Sequence, residues 1–255
     1  MRFTAWTLTA FLFVASAASA SDDITIVSKN KTNGKPAGNS TQYFSSDHVR
    51  MDDAKGSGMI IESKTGTMTT VDNRKKTYYT TTKKDIEEFN AKMQEKMNSP
   101  EGKQGMEFMK NMAAGMTTSV EVKKTGKTRK VGPYNCEEWE IKQTAFSTMK
   151  ECVTSEVEIP EHATKGFTTF MEGMKTASPF AAVAKAGESM ADKMKVIKGF
   201  PVATSMTLDI MGNKQTTETE VIEIKRDSIP ASTWEVPAGY KQIENPMKKA
   251  LEHHG

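Results

Sequence analysis

Two side-chain types in this 255-residue chain have the spacing to do chemistry, cysteine and methionine. The only cysteines are Cys136 and Cys152. Fifteen residues lie between them, too many for a redox CxxC centre, and an even pair is read first as one disulfide. Methionine is abundant, 18 in all, and falls in clusters with helical intervals: Met93/Met97, Met106/Met109/Met112, Met171/Met174 and Met190/Met194. Thioether sulfur is polarisable and soft. Such clusters therefore have three readings: core stripes closing over a sheet, an adaptable apolar groove, or a Cu(I) site.

The remaining reactive residues do not assemble in sequence. His48 sits in a strand, His162 follows Pro160-Glu161 without metal-ligand spacing, and His253-His254 close the chain in a run, LEHH, that is either native or like a tag junction. Glu137-Glu138 and Asp52-Asp53 are adjacent pairs, so on a strand their side chains point to opposite faces and neither pair forms an acid–base dyad. G-x-S-x-G, P-loop and dinucleotide fingerprints are missing. The expectation is a protein that is not an enzyme, with no cofactor and no metal.

The elements that must position these residues follow from two periods. Cys136 opens an alternating run, CEEWEIKQ, that places Trp139 and Ile141 on one strand face; after AFST, the run MKECVTSEVEI returns Cys152 toward it. Residues Pro133 to Ile159 thus read as a stapled hairpin. Closing its loop is worth roughly 3 kcal/mol in the chain-entropy model. Upstream, DITIV is followed by the turn-rich SKNKTNGKPAGNST, then by QYFSSDHVRMD, GMIIES, TMTTVD and KKTYYTTT, the rhythm of an antiparallel meander. From Asp85 the period turns helical, with Ile86, Phe89, Met93 and Met97 on one stripe and Met106, Met109, Ala113 and Met116 on the next. A second helical insertion carries Phe167, Phe170, Met171 and Met174, then Phe180, Val183, Met190 and Met194. Strand character resumes at FPVATSMTLDIM, turns at Gly212-Asn213, and returns through KQTTETEVIEIKRD.

Residues 1–20 read as a signal peptide: Arg2, a short apolar run, and Ala18-Ser19-Ala20 before the cut near Ala20. Cleavage leaves a periplasmic or secreted protein that does not span the membrane. It removes one of the 35 Lys plus Arg and none of the 32 Asp plus Glu, so the mature charge is 34 − 32 = +2. That near-balance, with lysines scattered rather than gathered among aromatics, argues against nucleic acid. The organisation expected is one α+β domain over residues 21–245, mainly antiparallel β, with helical insertions at about 85–116 and 162–198, and a flexible tail over 246–255.

Several segments together, SSDHVRMDD, GMIIESKTGTMTTVDNRKKTYYT, VGPYNCEEWEIK and SIPASTWEVPAGYKQ, resemble the DUF4412 family of exported bacterial proteins of uncharacterised function, itself similar to the LolA-like lipoprotein carriers. The resemblance rests on Val49-Arg50-Met51-Asp52, Lys76-Thr77-Tyr78 and Pro230 through Tyr240. It implies a curved, unclosed barrel with the amphipathic Met-rich helices packed in or across its concave face. The function then expected is non-catalytic: a periplasmic binding or carrier protein for a lipid or other apolar ligand, contacted by Phe89, Met93, Met97, Met109, Phe170, Met174, Met190 and Met194. The alternatives are a structural or interaction protein with an envelope protein partner and a filled core, and a Met-rich copper binder.

Overall fold

The computed structural model of the chain describes residues 22–99, 120–143, 147–159, 192–210 and 212–252. The first hairpin joins β1 (Ile24–Thr32) to β2 (Lys35–Phe44) through Asn33-Gly34, both at positive φ, 51° and 75°. Two such residues give the turn whose twist matches paired strands. The strand therefore runs through the polar stretch from Ser28 that its composition suggested was a turn. β1 is bonded on both sides, to β2 and to β11, so backbone pairing holds it there rather than apolar side chains. A second correction concerns QYFSSDHVRMD, which is two strands. The Ser45 hydroxyl accepts from the His48 N–H at 3.0 Å and turns the chain between β2 and β3 (His48–Asp52).

The meander continues through β4 (Ser57–Glu62), β5 (Thr67–Asp72) and β6 (Thr77–Thr81). A second set follows: β7 (Val120–Val131), β8 (Tyr134–Gln143), β9 (Ser147–Thr154), β10 (Phe200–Ile210), β11 (Asn213–Lys225) and the two-residue β12 (Lys241–Gln242). All belong to one twelve-stranded sheet in the order β12-β6-β5-β4-β3-β2-β1-β11-β10-β9-β8-β7. Every pairing is antiparallel except β12 on β6.

The LolA-like curved barrel is not formed. The sheet is open, neither closed nor curled around a concave face, and its strand order runs once from β12 to β7 without the two edges meeting. Within each of the runs β1–β6, β7–β9 and β10–β11, short turns pair a strand with its neighbour in sequence, so the sheet grows sideways. Closure would require matched edges. Here one edge is two residues long and the other is a twelve-residue strand carrying Lys123, Lys124, Lys127, Arg129 and Lys130. What stands is a mixed, mostly antiparallel sheet with few short helices among the described residues.

Two helices flank the β6 edge. In α1 (Lys83–Asn98), Thr82 and Asp85 cap each other: the Asp85 carboxylate accepts from the Thr82 N–H and hydroxyl, both at 2.8 Å, and the Thr82 hydroxyl accepts from the Asp85 N–H at 3.2 Å. Lys248 of α2 (Pro246–Glu252) reaches the same carboxylate at 2.7 Å. Burial works to raise the Asp85 pKa, but the Lys248 ammonium and the Thr82 donors outweigh it and hold the carboxyl below its usual value.

The chain between β11 and α2 forms a strap across one face of β2–β6. Arg50, on β3, is buried beneath it and donates to the Thr233 carbonyl at 2.7 Å and to the Asp52 carboxylate at 2.9 and 3.0 Å. Trp234 stacks on His48, with ring centroids 5.3 Å apart, and meets Tyr43 edge-on. Tyr240 donates to Asn73 at 3.0 Å, and the Lys241 and Ile243 amides bond the carbonyls of Lys76 and Tyr78. Gly58 lies opposite Asp52, and a Cβ there would collide with the carboxylate that Arg50 holds.

Candidate functional site

Strand register separates the sheet into two faces, because residues directly opposite each other point the same way. Ile24, Phe44, Val49 and Ile61 are successive partners across β1–β4, and Met68 follows on β5. The neighbouring row is Ile26, Gln42, Met51 and Met59. Through β11 the same face continues as Thr219, Thr204, Glu151 and Trp139, with Thr217, Met206, Met149 and Ile141 beside it. A bulge at Ile222 keeps both Val221 and Ile224 on this side while Ile222 itself turns out, 45% exposed.

All the methionines on described strands, Met51, Met59, Met68, Met149 and Met206, therefore share one face. Each is half-buried, and the first three pack against the Ile and Val core. The opposite face is a ladder of charges. Lys29 pairs with Glu220 at 2.6 Å, Lys150 approaches Glu140 at 3.8 Å, and Lys214 approaches Asp209 at 3.7 Å. A cavity of about 280 Å³ opens on that charged side, walled by Lys29, Arg129, Glu138, Lys150 and Glu220 over a floor of Ala203 and Cys152. Its walls would strip no water from an apolar chain at low cost, so the methionine face is the better candidate site.

Within that face stands one buried carboxylate. Glu151 is 8% exposed, opposite Thr204 on one neighbouring strand and Trp139 on the other. Burial pushes its carboxyl above the usual carboxylate range. Trp139 in turn faces Lys124, whose ammonium lies 6.0 Å from the indole and pairs with Glu137 at 2.7 Å.

Cys136 and Cys152 form the expected disulfide, across β8 and β9, with Cα atoms 5.2 Å apart. Both are buried on the charged side of the sheet, where Val131, Tyr134 and Phe200 join them in the core. The bond is architectural. Of the apolar residues singled out from helical stripes, Phe89 and Met93 lie half-buried on α1, and Met194 is half-buried beside Lys193. The Met97 side chain and all of Met109, Phe170, Met174 and Met190 lie outside the described residues, as does the segment read as a signal peptide. The strand methionines lie outside those helical stripes. Period-two alternation sets Met59 with Ile61 on a packed face, and the same period in HVRMD and TMTTVD places Met51 and Met68 on inward positions. Among the described residues no cluster of His, Cys, Asp or Glu is arranged to hold a metal ion. No helix among them is long and apolar enough to cross a membrane.

The chain belongs to the DUF4412 family, described as a domain of unknown function, which matches residues 26–240. No curated protein matches it. Among solved structures, PNGF-II in its C2 space group is similar over 91% of this chain and 33% of that one, at 11% identity and a TM-score of 0.37. The chain thus spans about a third of PNGF-II, and a likeness at that level bears on neither fold nor function.

Proposed function

We propose that this DUF4412 protein is a non-catalytic binding protein for an apolar ligand, which lies along the methionine face of the sheet. The observation that supports this reading is the placement of Met51, Met59, Met68, Met149 and Met206 on one face, all half-buried. A core that only had to close would use stiff residues, as the adjacent Ile24, Val49 and Ile61 do. Flexible thioether chains suit a surface that repacks around variable apolar groups. Phe89 and Met93 on α1, also half-buried, extend the supply of such groups. The disulfide supports an oxidising, extracytoplasmic setting.

Titration with a fluorescent acyl-chain probe tests the reading. Saturable binding is expected, and Met149→Gln with Met206→Gln should weaken it about tenfold through lost apolar contact. Lys31→Gln, on the charged face, should leave it unchanged. Binding that is unsaturable, or indifferent to the paired methionine substitutions, would sink the idea.

A further inference from the structure

Glu151 is the feature that a purely apolar ligand leaves unexplained. Among the described carboxylates, only Asp85 and Glu151 are buried. Asp85 has Lys248 and Thr82. Glu151 has no hydrogen-bonding or ionic partner among the described residues. The Glu151 side chain is largely withdrawn from water, its unpartnered oxygens keeping only residual solvent contact, and a donor or a cation would offset the cost of that burial. The one cation in its cross-strand row, Lys124, is engaged by Glu137 and the Trp139 ring.

Resting on the apolar-ligand reading above, we propose that the ligand is an amphiphile with a protonated amine head, which docks on Glu151 while its chain lies over Met149 and Met206. The ionised carboxylate is an acceptor only, so it selects a donor head. Trp139 stands directly opposite Glu151 and already draws one ammonium to its ring, a surface that favours cations. A carboxylate or phosphate head is disfavoured twice, by Glu151 and by Glu137 two residues along the same face as Trp139. The two methionines are cross-strand partners on the neighbouring row, one strand position pair from the carboxylate, which puts apolar contact where the chain would leave the head.

Calorimetric titration of the full chain with dodecylamine, dodecanol and dodecanoate, repeated on Glu151→Gln, decides it. The amine is expected to bind wild type at least about tenfold more tightly than the carboxylate. Glu151→Gln should weaken the amine by about the same factor and leave dodecanol unchanged. Equal binding of amine and carboxylate by wild type, or an amine affinity that survives the substitution, would overturn the assignment of the head while leaving an apolar site in place. If none of the three binds, the apolar-ligand reading falls as well. The wild-type comparison carries the decision alone should the variant fold poorly.

Discussion

At its β6 end the sheet is finished by its own returning chain, whereas at its β7 end it is held by a covalent bond two strands wide and an edge covered in charge. The first end is a set of side-chain contacts, most of them part-buried: Arg50 on Thr233 and Asp52, Trp234 on His48, Asn245 on Thr80 and Thr81, and Lys248 on Asp85. The second has Cys136–Cys152 between β8 and β9, and outside them a twelve-residue strand with five cations and one acid. An exposed edge strand invites pairing with other chains, and lysines discourage it. The short β12 needs no such protection, since it offers only two residues. The difference teaches that a wide open sheet has no single keystone. One end is stabilised by a segment that returns from far along the chain, the other by a bond between neighbouring strands.

Removing the covalent end should have the largest effect. Cys136→Ser with Cys152→Ser is expected to lower stability by roughly 3 kcal/mol, the loop-closure value for a separation of 16 residues. Urea unfolding would read it, and wild type under reductant should match the double variant. If reductant leaves the wild-type midpoint where it was, the bond is not what secures this end.

The strap end should respond to different levers. Arg50→Met leaves the Asp52 carboxylate and the Thr233 carbonyl without their donor, and is expected to cost about 2–3 kcal/mol. Trp234→Ala strips an aromatic contact from His48 and Tyr43 at a similar cost. Neither change should alter sensitivity to reductant, and each should add to the cysteine variant, because β3 and β8 are six strands apart in the sheet. Strong non-additivity in a double-variant cycle would show that the two ends are coupled and the contrast false.

The disulfided end was the more legible in sequence. Two cysteines and a clean alternation specify the pairing of β8 with β9, since both signals are local. The strap was visible only as motifs. Arg50, Lys76-Thr77-Tyr78 and the run from Pro230 to Tyr240 were noticed as family-like segments, yet their common cause is contact over separations as great as 183 residues, which no periodicity encodes. The same limit hid the site. Met51, Met59 and Met149 acquire a common face only once β11 returns to β1, and Glu151 looks like any strand glutamate until its row is known. The barrel expectation failed for a related reason: alternation fixes which side of a strand is apolar, but not whether its sheet curls.

The smallest expected effects set two carboxyls against each other, one at each end. Asp85 has its folded pKa lowered, so its contribution is present above the unfolded value and is lost as pH falls through the folded one. Glu151 has its folded pKa raised, so its contribution is full below the unfolded value and is lost as pH rises through the folded one. At neutral pH, Asp85→Asn should destabilise by about 1 kcal/mol, through the weakened cap and the lost Lys248 pair, which is half in solvent. Glu151→Gln should instead stabilise, on the order of 1 kcal/mol, because an amide is buried more cheaply than an ionised carboxylate. Acidification to about pH 4 protonates Glu151, so its difference should shrink toward zero, whereas Asp85, held below its usual value, stays largely ionised there and should keep most of its difference. Thermal unfolding of the two variants across that range reads the result. If Glu151→Gln destabilises at neutral pH, Glu151 has a partner that it lacks among the described residues, and the amine assignment loses its premise.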